Sequence, residues 1–85
     1  MGEVNYANLI VELIKPLVTH PLEVEAQVEQ ENDELIKVTA YVHPDDLGRV
    51  IGKKGRVAGA IRTIAHAAAI RYQQSIEIEF TSKED

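Results

Sequence analysis

Gly48-Arg49-Val50-Ile51-Gly52-Lys53-Lys54-Gly55-Arg56 is the stretch on which the reading of this chain turns. Gly52 and Gly55 remove the side chains from both ends of a four-residue turn, and Lys53 and Lys54 put two cations at its tip. Glycine admits positive φ and lets backbone come close to a ligand. Successive exposed amides in such a turn form an anion-binding concavity. Together these features ask for phosphate, and for a polyphosphate backbone ahead of an isolated anion.

The charge around this stretch agrees with it. From Leu47 to Ile76 there is no Asp or Glu, while Arg49, Lys53, Lys54, Arg56, Arg62 and Arg71 give the segment a charge of +6. The rest of the chain sets three lysines against all fourteen acids, so the molecule as a whole carries −5. A local field of one sign attracts a polyanion even on an acidic molecule. The acidic remainder repels it elsewhere and so helps to orient it.

Eighty-five residues, 45% of them hydrophobic, suit a single globular domain. The chain has no Cys, which excludes disulfides and thiolate metal sites. No apolar run approaches the ~20 residues needed to span a bilayer, and no signal-peptide pattern is read, so no membrane association and a cytoplasmic location are expected. With one Phe, three Tyr and no Trp, recognition of bases mainly by ring stacking is disfavoured.

Outward from the glycine pair, periodicity orders the elements. Val4 to Leu17 places Leu9, Ile10, Leu13, Ile14 and Leu17 on one helical face, with Asn5 as N-cap and Pro16 ending the helix near Lys15. Leu22 to Glu29 alternates strictly, Leu22, Val24, Ala26 and Val28 against Glu23, Glu25, Gln27 and Glu29, as a half-buried strand does. A polar turn over Gln30-Glu31-Asn32-Asp33 leads to a second strand, Glu34 to Val42, with Ile36, Val38, Ala40 and Val42 inward. His43-Pro44-Asp45-Asp46 opens a short helix that stops at the Gly52–Gly55 turn. A long helix follows from Arg56 to Tyr72, then a strand from Ser75 to Thr81 with Ile76, Ile78 and Phe80 inward. The fold expected is α+β in the order α-β-β-α-α-β, a three-stranded mixed sheet with its helices on one face. Residues 1–81 form the domain and 82–85 a short frayed tail. The strands flanking the helix pair are expected to run parallel. Glu23, Glu25, Glu29, Glu77 and Glu79 then make the other sheet face acidic, which confines a nucleic-acid ligand to the helical side.

A Gly-x-x-Gly turn between two helices, within β-α-α-β and preceded by α-β, resembles a KH domain of the bacterial type, type II. Asp46 to Arg56, together with Leu13-Ile14-Lys15-Pro16-Leu17 and Ala60-Ile61-Arg62-Thr63-Ile64, is closely similar to small stand-alone bacterial KH proteins of the KhpA type. The resemblance spans nearly the whole chain. It implies an RNA-binding protein, an RNA chaperone or post-transcriptional regulator, that holds single-stranded RNA in a narrow groove with a clamp on the backbone of about four nucleotides. Carried over by position, Gly52, Lys53, Lys54 and Gly55 form the clamp, and Arg49, Arg56 and Arg62 flank the phosphate path. Val50 and Ile51, with Val57 nearby, form an apolar groove floor under the bases, or else simply pack in the core.

The long helix has more apolar surface than a sheet needs. Ala58, Ile61, Ala65, Ala68 and Tyr72 form one stripe; Ala60, Ile64, Ala67 and Arg71 form another beside it. The first serves the core. The second is either covered by the N-terminal helix or meets another chain, and a two-fold pair is the commonest arrangement. The resemblance points to the same surface use, implying homodimers and heterodimers with a larger KH-containing protein of the KhpB or Jag type.

Other classes fit less well. Gly48-x-x-x-Gly52-Lys53-Lys54 is superficially like a P-loop, but it has one residue too few between the glycines, lacks the Ser/Thr after Lys and follows a helix instead of a strand. His20, His43 and His66 are expected far apart and without a Cys partner, so neither metal nor cofactor is expected. Asp45-Asp46 reads as helix-start chemistry, not as a catalytic pair. No enzyme activity is expected. The rival that stands is a protein-interaction or dimerisation module that no longer depends on RNA.

Overall fold

The structure is a computed structural model that describes residues 5–83, without the side chain of Lys53. Helix α1 covers Tyr6–Ile14. Asn5 caps it, its side chain accepting the Asn8 N–H at 3.0 Å. Pro16 turns the chain into a short 3-10 turn over Lys15–Leu17. The expected start at Val4 lies outside the described residues. Tyr6, Ile10 and Ile14, four residues apart, bury one face of α1. Leu17 is past the end of the helix and exposed, so the inward stripe closes at Ile14.

Strand β1 is Glu25–Gln30, shorter at its start than the alternation predicts. Pro21–Glu23 forms a second 3-10 turn instead, leaving Leu22 91% exposed and Glu23 off the strand. The ladder explains the difference. Strand β2, Leu35–Val42, pairs with β1 antiparallel, and its Tyr41 already faces Glu25. Beyond Val42 the chain leaves the sheet for a helix, so nothing remains to pair with Leu22. Within the turn joining the strands, Asn32 accepts the N–H groups of Glu34 and Leu35 at 2.8 and 2.9 Å.

Helix α2 spans Pro44–Ile70 as one assigned element. Lys54 and Gly55 within it stand at φ 63° and 69°. A right-handed helix does not carry through two left-handed residues, so α2 is two limbs joined at the expected turn. The left-handed pair falls at the end of the Gly52–Gly55 turn, and helical backbone continues up to it from either side.

Strand β3, Ser75–Ser82, pairs parallel with β2, giving the order β1-β2-β3. It extends one residue beyond the expected end. Lys83 remains tied in, its N–H donating to Val42 O at 3.1 Å and its Nζ lying 2.7 Å from Glu25. The tail therefore holds no fray at 82–83, and 84–85 lie outside the described residues.

The core lies between one sheet face and the helices. Ile36, Val38, Ala40 and Val42 of β2 are all buried, as are Ile78 and Phe80 of β3, against Tyr6, Ile10 and Ile14 from α1 and Val50, Ala58, Ile61, Ala65 and Ala69 from α2. The opposite face presents Glu25, Glu29, Glu77 and Glu79 to solvent, with Lys37 facing Glu29 and Glu77 across the strands. The acidic face is as the alternation predicts. Among the described residues, no helix is long and apolar enough to cross a membrane.

Candidate nucleic-acid interface

The turn between the two limbs of α2 is the centre of the candidate site. Lys54 is an exposed non-glycine residue in left-handed backbone, a conformation that costs roughly 1–2 kcal/mol for an L-residue. Such strain collects where a local shape has a use. Gly55 follows in the same region, and only glycine takes it without that cost. Gly52 is different. Its φ is not positive, and a Cβ built on it would meet nothing within 4 Å. The fold has no need of a glycine there, and a glycine inside a helix costs about 0.5–1 kcal/mol relative to alanine. What Gly52 leaves is bare backbone open to the outside, next to two lysines.

Around the turn, Arg49 is 60% exposed, its Nε 4.0 Å from Asp46 Oδ1, and Arg56 is exposed on the second limb. Ile51 is exposed and Val57 half-buried. Val50 has no exposed surface; it belongs to the core and offers nothing to a ligand as it stands. Arg62 is drawn to the sheet. Its Nη2 donates to Ile78 O at 3.2 Å, and its guanidinium carbon lies 5.2 Å from the centre of the Phe80 ring. Because the Ser75 N–H points back to Glu34 O, the groups of Ile76, Ile78 and Phe80 face the free edge of β3. Arg62, Thr63 and His66 line one side of an open groove of about 560 Å³, with Ile76, Glu77 and Ile78 on the other. Arg62 lies seven residues beyond Gly55, about 10 Å along the second limb.

The start of α2 is held by a contact the sequence reading did not foresee. Asp46 is only 1% exposed. Its Oδ1 accepts the Thr19 N–H at 2.9 Å and the Thr19 hydroxyl at 2.8 Å, and its Oδ2 accepts the His20 N–H at 3.0 Å. Burial pushes its pKa up, but the bonds from Thr19 and His20 outweigh this and hold it down at about 2. Asp46 thus ties the segment ahead of β1 to the first limb of α2 and fixes the axis that ends in the turn. His20 and His43 are not far apart. Their rings stack at 3.8 Å, because the β1–β2 hairpin brings its two ends together.

On the long limb, Ala58, Ile61 and Ala65 are buried as expected, with Ala69 added, whereas Tyr72 is 41% exposed and leaves that stripe. Ala60, Ile64, Ala67 and Arg71 are all exposed, and α1 does not cover them. Ile70, at 58%, extends the uncovered apolar surface and was not picked out by periodicity.

Three helical limbs on one face of a mixed sheet, with a glycine-bracketed turn between the second and third, define a type II KH domain. A family model described as KhpA/KhpB, KH domain, matches residues 7–80. The protein belongs to this KhpA/KhpB family of KH-domain proteins, which is not a family of enzymes. It is 38% identical over 79 residues to the RNA-binding protein KhpA of Bacillus subtilis, covering 93% of this chain and 96% of that one. It is 44% identical over 71 residues to the protein of the same name from Clostridium perfringens, covering 82% and 93%. Among solved structures it is similar to Aquifex aeolicus Era bound to GDP and aluminium fluoride, with TM-score 0.75 and 17% identity. It is also similar to Era in complex with MgGDPNP and a segment of 16S ribosomal RNA, with TM-score 0.76 and 17% identity. The chain spans 31% of each Era chain, with 94% of itself matched. These two likenesses speak to fold alone.

Proposed function

We propose that the protein binds single-stranded RNA by clamping its backbone at Gly52-Lys53-Lys54-Gly55. Arg49 and Arg56 flank the phosphates, Ile51 lies under the bases, and the groove beside Arg62 continues the path. The observation that carries the reading is Gly52, a glycine the fold does not need, beside a left-handed Lys54-Gly55 pair within an acid-free segment. Relatives named as RNA-binding proteins support it. In this reading the chain acts in the cytoplasm as an RNA chaperone or post-transcriptional regulator. It works as a pair through Ala60, Ile64, Ala67 and Arg71, as a homodimer or with a KhpB/Jag-type KH protein. One groove reads few bases, and pairing raises affinity through effective concentration when both grooves are reached at once.

Fluorescence anisotropy with short single-stranded RNA tests the clamp. Lys53→Asp combined with Lys54→Asp abolishes binding while circular dichroism and the melting temperature stay those of the parent. Equal affinity in parent and double variant overturns the clamp and leaves a pairing module independent of RNA.

A further inference from the structure

At the start of α2, with His43 nine residues ahead of Gly52, the stacked His20 and His43 rings lie with their planes 9° from parallel. The hydrogen bonds around them decide which nitrogens carry lone pairs. His43 Nδ1 accepts the Asp45 N–H at 3.0 Å, so the lone pair is on Nδ1. Asp45 Oδ2 lies 3.6 Å from that same nitrogen. Two ligand atoms bonded to one tetrahedral zinc at ~2.0–2.2 Å stand about this far apart. On His20, Nδ1 faces Thr19 Oγ1 at 2.9 Å and Asp46 Oδ2 at 3.3 Å; the Thr19 hydroxyl proton already goes to Asp46 Oδ1, so Nδ1 carries the ring proton and Nε2 is the nitrogen with a lone pair to offer. A carboxylate behind an imidazole is the arrangement that fixes tautomer and ring orientation in metal-binding histidines. One nitrogen from each ring and one oxygen of Asp45 lie within 4.8 Å of one another.

We propose that His20, His43 and Asp45 form a binding site for a transition-metal dication, zinc being the fitting case, with Asp46 as the outer carboxylate that orients His20. Two imidazoles and one carboxylate are a zinc ligand set with a fourth position open to water. The nitrogen ligands select against magnesium and calcium, which take oxygen. Drawing the three atoms onto one ion requires the parallel rings to turn. The side chains have room for that on the solvent side, being 39%, 31% and 71% exposed for His20, His43 and Asp45. The ion takes over the His43 lone pair from the Asp45 N–H, so coordination replaces a helix cap. The positive end of the α2 dipole opposes a cation here, and Asp45 and Asp46 set two negative charges against it. Bound metal would staple the two ends of the β1–β2 hairpin at the base of the limb that carries the glycine turn.

Calorimetric titration of the untagged full chain with zinc chloride, followed by thermal melting, tests the site. One zinc per chain and a raised melting temperature are expected. His20→Gln and Asp45→Asn each remove a ligand but leave the His43 cap, and each weakens zinc binding at least about tenfold, the lower end of the loss seen even for outer-shell partners. His66→Gln leaves it unchanged, and magnesium chloride gives no comparable effect. Nitrogen NMR of the imidazoles needs no variant: zinc shifts His20 Nε2 and His43 Nδ1 and leaves His66 in place. Absence of zinc binding, binding by both ligand variants as tight as that of the parent, equal response to magnesium, or a response confined to His66 overturns the proposal.

Discussion

Gly52 and Gly55 look equivalent in the sequence, yet the structure separates them. Gly55 is needed by the backbone, at φ 69°, whereas Gly52 has open space and ordinary φ. Alanine at the two positions should therefore act in opposite senses. Gly55→Ala destabilises by about 1 kcal/mol or more, since alanine must hold the left-handed conformation. Gly52→Ala stabilises by about 0.5–1 kcal/mol and weakens RNA binding, because its methyl group stands where backbone and phosphate would meet. Urea denaturation and RNA anisotropy on the two variants check both halves. Val50 teaches the complementary lesson. Its place beside Ile51 in the motif could not tell groove from core, since a helix sends adjacent residues about 100° apart and either one fits the inward direction. Burial decides it: Val50 is inside and Ile51 outside.

At the scale of elements, the order and direction of strands and helices were legible because each has its own hydrophobic period, and the β2–β3 crossover is long enough to run parallel. The start of β1 was not, since alternation records which way side chains would point and not whether a partner strand exists; Leu22 alternates correctly and has none. The His20–His43 contact was hidden for a related reason. It joins residues far apart in sequence, and only the antiparallel register of the hairpin signals that its ends meet. Asp46 is the tie that locks this junction, and its chemistry predicts an acid response. Its carboxyl has a folded pKa of about 2 against an ordinary value of 3.8, so the stability it adds is present above the ordinary value and lost as pH falls from about 4 towards 2. The amount is on the order of 1–2 kcal/mol, after a discount for solvent reaching the neighbouring His20. Asp46→Asn forfeits it at neutral pH and flattens the stability profile across that window, which denaturant titrations at stepped pH would reveal.

For the whole molecule, the decisive surface is the uncovered stripe of the long limb. In the proposed pair, Ile64→Tyr would place a bulky ring between the facing alanines and shift sedimentation to the monomer; a dimer unchanged by it would remove this face from the assembly. The molecule's charge layout carries one more consequence, for the rate of encounter. The domain measures 35 × 26 × 20 Å. At about 0.01 M salt the screening length is ~30 Å, so approaching RNA senses the total of −5 and is held off. At about 0.1 M the length is ~10 Å, and RNA arriving at the turn senses chiefly the cations of the Gly48–Arg56 stretch while the glutamates behind the sheet are screened from view. Stopped-flow association should therefore quicken as salt is first raised and slow only when the phosphate contacts themselves are weakened, a maximum that a uniformly basic RNA binder would lack.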